Sequence, residues 1–168
     1  MSAAGERTAR AGEGGLPRSV LFLCGMNVVR SPMAELLARR VLPRTVFVAS
    51  AGVRAGERDP FVDAVLAEEG LSLGDRQPQG LDDLEDAYFE LIVTLAPEAH
   101  HAALELTRTM AVDVEYWPTM DPTTIGGTRE QILAAYRDVR DRLAARIAGR
   151  FAAAAAQDPP DGAPAQGQ

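Results

Sequence analysis

With one cysteine in 168 residues, the chain can form no internal disulfide, so its fold must be held by packing alone. A lone thiol that works as a nucleophile is oxidised outside a reducing compartment, so the expected location is the cytoplasm. No apolar run approaches the ~20 residues that a membrane-spanning helix needs. The first fifteen residues carry Arg7 and Arg10 but no apolar segment, which does not read as a secretory signal. Basic blocks are also missing. At a net charge of −7 the chain lacks the concentrated positive surface that phosphate-backbone recognition requires, so neither nucleic acid nor membrane is an expected partner. The only two histidines, His100 and His101, are adjacent and lie in a helical stretch with Glu98 and Glu105. Neighbouring helical residues cannot both face one ion, so this stretch reads as a solvated face, and no metal is expected.

What the chain does have suits one folded domain, for which a monomer is a compatible state. Its length lies in the single-domain range, and 46% hydrophobic residues suffice for a core. Residues 1–17 and 153–168 are rich in Ala, Gly, Pro and polar residues without periodicity, and read as flexible tails around a domain at 18–152. Within it, strand and helix patterns alternate. Strands are expected near 19–24, 45–49, 88–95 and 111–116, and helices near 32–42, 61–69, 97–108 and 128–151. Asp59-Pro60 and Thr128 look like helix starts, and Gly70 like a stop. Strands separated by single helices imply parallel pairing with right-handed crossovers, hence a three-layer α/β/α sandwich. Ligands of such sheets bind beyond the carboxyl ends of the strands.

Cys24 falls at such an end. It follows the apolar run Val20-Leu21-Phe22-Leu23 and opens the segment Cys24-Gly25-Met26-Asn27-Val28-Val29-Arg30-Ser31-Pro32, just ahead of an amphipathic helix. A strand-to-helix turn aims backbone N–H groups at one point, where both a thiolate and a phosphate would be stable. Arg30 can hold two phosphoryl oxygens with its planar fork, and Ser31 can donate its hydroxyl to the sulfur. Pro32 lacks an N–H and suits a helix start. A cysteine in this setting can also be a small buried hydrophobe. Arginine is hard to reconcile with that reading, because an unpaired buried guanidinium is costly.

These residues, with Met33-Ala34-Glu35 following, resemble the low-molecular-weight protein tyrosine phosphatases, whose phosphate loop is Cys-x5-Arg-Ser close to the N-terminus. Ser50-Ala51-Gly52 and Asp121-Pro122 match further along, so the resemblance spans residues 18–150. It implies a flavodoxin-like fold with a four-stranded parallel sheet in the order 2-1-3-4. It also implies a phosphate-monoesterase, acting on a phosphorylated protein or aryl phosphate without a cofactor. Cys24 would be the nucleophile, Arg30 and the backbone from Gly25 through Met26, Asn27, Val28 and Val29 would bind phosphate, and Ser31 would assist the sulfur. Asp121 would act as general acid and then as base, although an Asp-Pro pair alone reads as a turn. Asn27 would hold the loop through backbone hydrogen bonds, with Ser50 either bonding the loop or merely ending its strand.

Three departures from the family pattern stand out. Val29 occupies the position of a second, protective cysteine, so Cys24 has no internal resolving thiol. Glycine comes first after Cys24, not second; if Met26 must adopt a positive φ, strain of about 1–3 kcal/mol follows. Thr123 and Thr124 replace the tyrosines that often follow the acid, leaving Tyr116 and Trp117 as the nearest aromatics, while Val28 suits aryl substrates. Two alternatives remain open: an oxyanion-binding relative without turnover, and an arsenate reductase, which in the absence of two further cysteines must use an external thiol.

Overall fold

The computed structural model describes residues 15–85 and 88–152. The expectations for residues 1–14 and 153–168 lie outside the described residues, whereas Leu16 packs against the core. The element order is β1 (Ser19–Cys24), α1 (Arg30–Val41), β2 (Phe47–Gly52), α2 (Pro60–Ala67), β3 (Leu91–Thr94), α3 (Pro97–Leu106), β4 (Asp113–Tyr116) and α4 (Arg129–Ile147). All strand pairs are parallel and the sheet order is β2-β1-β3-β4, the order implied by the family resemblance.

Alternation along β1 builds the layers. Val20, Phe22 and Cys24 face the larger cluster with Met33 and Leu37 of α1 and Val139 and Leu143 of α4. Leu21 and Leu23 face the opposite side, where Ala99 and Ala103 of α3 and Phe89 close the second core. Alanines on the inner face of α3 let that helix lie close to the sheet. Both faces of β3 are covered, so Leu91, Ile92, Val93 and Thr94 are all buried, as their β-branched, apolar character anticipates. Trp117 makes edge contact with Phe22 and packs on Phe151, sealing the far end of the larger core.

Several boundaries differ from the sequence reading, each for a local reason. The second strand runs over 47–52 instead of 45–49, because all six residues from Phe47 to Gly52 pair with Ser19 through Cys24. It therefore carries Ser50 inside the sheet, not after it. Gly52 is required at its end, since a Cβ there would collide with Asn27 N and Arg54 O. Helix α1 starts at Arg30, two residues early, which makes Pro32 its third residue; the N–H missing there is one the helix could not have used internally. Asp59 accepts from Phe61 N, and Thr128 and Gln131 cap each other reciprocally, so both expected helix starts are present. Gly70 closes α2 with φ +74°. The last helix changes to a π-turn at Ala148–Ala152.

Candidate active site

The carboxyl ends of β1, β2, β3 and β4 lie on one edge of the sheet, where the turn from Cys24 to Arg30 opens. Three of its carbonyls are taken by the segment that follows β2: Val53 N donates to Cys24 O, Arg54 N to Gly25 O and Gly56 N to Met26 O, at 3.0–3.1 Å. The N–H groups of Gly25, Met26, Asn27, Val28, Val29 and Arg30 find no backbone acceptor among the described residues. The turn's first three carbonyls are thus tied to a neighbouring segment, while its amides are left without a backbone partner. Val29 precedes α1 without any side-chain cap, so the helix start is open as well. Such a ring of free amides favours an anion.

Cys24 is 2% exposed, and its Sγ lies 3.0 Å from Ser31 Oγ. Ser31 Oγ accepts from Asn27 Nδ2 at 2.9 Å and also lies 3.2 Å from Ala51 O. One hydroxyl hydrogen thus has two possible acceptors, a carbonyl and a sulfur. Asn27 has φ +58°, the only positive φ at a described non-glycine residue. The left-handed turn expected to strain Met26 is taken one residue later, by a side chain that tolerates it. Asn27 also donates to Ser50 Oγ at 3.0 Å and accepts from Gln79 N at 2.9 Å. Its hold on the loop therefore runs chiefly through side-chain hydroxyls, with one backbone bond reaching outside the loop. Ser50 in turn donates to Glu35 Oε1 at 2.7 Å.

Glu35, absent from the expected site residues, anchors the arrangement. It is 2% exposed, yet it takes two hydrogen bonds from Arg76 (2.8 and 2.5 Å) and a third contact from Arg39 at 2.6 Å. Two half-exposed guanidiniums compensate one buried carboxylate. The apolar periodicity of α1 gives no sign of this, because Arg76 lies 41 residues away; the signal was a glutamate on the inner side of an otherwise apolar helix face.

Asp121 comes from the loop after β4. Arg30 NH1 donates to Thr119 O at 3.0 Å, and Arg30 NH2 lies 3.8 Å from Asp121 Oδ2. The other carboxylate oxygen is occupied, accepting from Thr123 N (3.0 Å) and Thr123 Oγ1 (2.7 Å). Cys24, Arg30, Ser31, Asn27, Ser50 and Asp121 are thus brought together, Asp121 by way of Arg30. Met26 is 44% exposed beside the loop, Val28 is half-buried, and Val29 is core.

Two expectations about neighbouring residues need correction. Trp117 is 3% exposed and packed in the core, so it offers no wall to a substrate; Tyr116 is exposed. His100 does not belong to a solvated face: it bonds Thr94 Oγ1 at 3.0 Å and stacks on Tyr116 at 4.5 Å, and burial pushes its imidazole below its usual range. Among the described residues no group of three or more His, Cys, Asp or Glu could hold a metal, and no helix is long and apolar enough to cross a membrane.

Residues 19–157 match the family described as low molecular weight phosphotyrosine protein phosphatase. The chain belongs to this family. Within the wider low-molecular-weight phosphatase superfamily, it is 34% identical over 131 residues to an arsenate reductase of Shouchella clausii, covering 76% of this chain and 91% of the relative. A shorter match, 37% over 67 residues, covers 38% of this chain and 46% of a probable low-molecular-weight protein-tyrosine-phosphatase, EpsP, of Ralstonia solanacearum. Among solved structures, the YwlE arginine phosphatase of Geobacillus stearothermophilus superposes with a TM-score of 0.66 at 25% identity, covering 82% of this chain and 92% of that one. Low-molecular-weight phosphatase relatives thus include both phosphatases and arsenate reductases.

Proposed function

We propose that this protein hydrolyses phosphate monoesters, protein phosphotyrosine among them, through a cysteinyl-phosphate intermediate. The observation that carries this reading is the loop of unpaired amides around Cys24, with Arg30 reaching from its rim toward Asp121. The amides and the Arg30 fork hold the phosphoryl oxygens. Cys24 Sγ attacks phosphorus; the S–P bond forms as the ester P–O bond breaks, and Asp121 Oδ2 gives its proton to the departing oxygen. The Ser31 hydroxyl hydrogen turns from Ala51 O to the sulfur whenever Sγ carries charge, which favours both attack and departure. Water then attacks phosphorus and passes a proton to the Asp121 carboxylate; the S–P bond breaks, phosphate leaves and the thiolate returns.

Thr123 supports Asp121 in place of an aromatic wall, while Met26, Val53, Tyr116, Met120 and Ile125 are exposed apolar side chains on the segments at this edge. Hydrolysis of p-nitrophenyl phosphate between about pH 4.5 and 8 tests the proposal. A bell-shaped pH profile is expected, because the reaction needs a protonated acid and a thiolate at the same time. Cys24→Ser is expected to abolish turnover and Asp121→Asn to lower kcat by about 10²–10⁴. Native, fully reduced protein that is no more active than Cys24→Ser would reject it in favour of an oxyanion-binding role.

The arsenate reductases among the relatives favour one second reading. Converting arsenate to arsenite takes two electrons, supplied when two thiols join as a disulfide, and this chain holds one thiol. Cys24 could act in that reaction only with an external thiol as its partner. Arsenite release that depends on added glutathione or a similar thiol, at rates exceeding phosphate-ester hydrolysis, would establish that reading over the first.

A further inference from the structure

Glu98 stands out beside the loop. A Cβ at Gly25 would lie 2.5 Å from Glu98 Oε2, so the carboxylate rests in the space left by the missing side chain of the residue after Cys24. This follows from chain path: Leu95 N donates to Leu23 O at 2.9 Å, and Thr119 N donates to Leu95 O at 3.1 Å. The start of α3 is thereby wedged between the Cys24 turn and the loop that carries Asp121. Glu98 is exposed, and among the described residues it makes no hydrogen bond or ion pair, unlike Glu35, Glu68 and Glu115. Its place in the first turn of α3 suits a negative charge locally, but that role does not require contact with Gly25.

A free anion beside a site for anions is unfavourable for a bare phosphate dianion, and within a Debye length of ~8–10 Å it is felt by whatever binds there. It becomes favourable when the ligand brings a cation next to its phosphoryl group. We infer that Glu98 is a specificity determinant that selects phosphorylated substrates bearing a guanidinium or ammonium group beside the phosphate, and disfavours those flanked by carboxylates. Gly25 is the sequence counterpart of this arrangement, since without a side chain there the carboxylate can rest against the loop. The inference rests on the phosphatase reading and adds to it the charge of the substrate's surroundings.

The test compares kcat/KM on two phosphotyrosine peptides that differ only in flanking arginines or glutamates, for native protein and Glu98→Gln, in low and high salt. p-Nitrophenyl phosphate and inhibition by inorganic phosphate are followed in parallel. Native protein is expected to favour the basic peptide by about three- to tenfold beyond what Glu98→Gln does, the size of one charge interaction near a protein surface, with salt erasing the difference. Phosphate is expected to inhibit Glu98→Gln at a severalfold lower concentration. A merely structural glutamate would alter both peptides equally. Hydrolysis of p-nitrophenyl phosphate with the same peptide ratio in both proteins would overturn the inference alone. No hydrolysis by native protein would overturn the phosphatase reading and the inference with it.

Discussion

The two loops that meet at the sheet edge are built in opposite ways. The Cys24–Arg30 turn is fastened into the core: Asn27, Ser31, Ser50 and Glu35 are each at most 6% exposed, Asn27 donates to both Ser31 and Ser50, and Ser50 donates to Glu35. The Asp121 loop is carried by a single turn of 3-10 helix at Pro122–Thr124, and the Asp121 side chain is 40% exposed, held by nearby Thr123. The bond from Arg30 to Thr119 O ties the two together. A site for an anion must be rigid before the anion arrives, because ordering amides around it afterwards would consume binding energy. In the proposed reaction the proton donor must instead adjust as its target leaves, and a weakly fastened loop allows this.

Removing Glu35 breaks the comparison most directly. Glu35→Ala leaves the buried Ser50 hydroxyl and the half-exposed Arg76 without their partner, and a loss of stability of about 1–3 kcal/mol is expected by denaturant titration, together with weaker binding of phosphate. An unchanged midpoint would mean that the buried carboxylate does not anchor the turn. On the other loop, Thr123→Val removes one hydroxyl bond to Asp121. Stability should fall by about 1 kcal/mol or less, while kcat on p-nitrophenyl phosphate falls severalfold and phosphate affinity stays fixed. Equal losses in both quantities would show that the two loops are one mechanical unit.

The smallest expected effect lies away from the site and serves as a control. Hydrogen bonds from Arg137 and then Arg140 hold the Glu68 carboxyl at about 2, below its ordinary 4.5. A depressed carboxyl stabilises the fold above its unfolded value and loses that contribution as pH falls from 4.5 toward 2. Glu68→Gln should therefore lower the thermal midpoint slightly at pH 6 and not at pH 2, without altering either loop. A difference that stays constant across this range would refute the ion pairing.

Local chemistry made much of this legible from sequence. Asp59, Thr128 and Gly70 announced helix ends with side chains or a φ that act within a few residues, and the apolar run before Cys24 gave the strand that presents the turn. The register of β2 was less legible, since Ser50, Ala51 and Gly52 have little strand propensity and are extended only because β1 pairs with them. The links from Glu35 to Arg76, from Arg30 to Thr119 and from Glu98 to Gly25 join residues 41, 89 and 73 positions apart, and no periodicity encodes such pairs. His100 misled for the same reason: its partners Thr94 and Tyr116 arrive from neighbouring strands.

The burial of the only thiol turns it into a clock. A reagent such as iodoacetamide can modify no other cysteine, and at 2% exposure Sγ presents it with almost no surface. The alkylation rate of the native protein thus reads, at one atom, how accessible the floor of the turn is, and its slowing by bound phosphate measures how firmly an anion occupies the space above it.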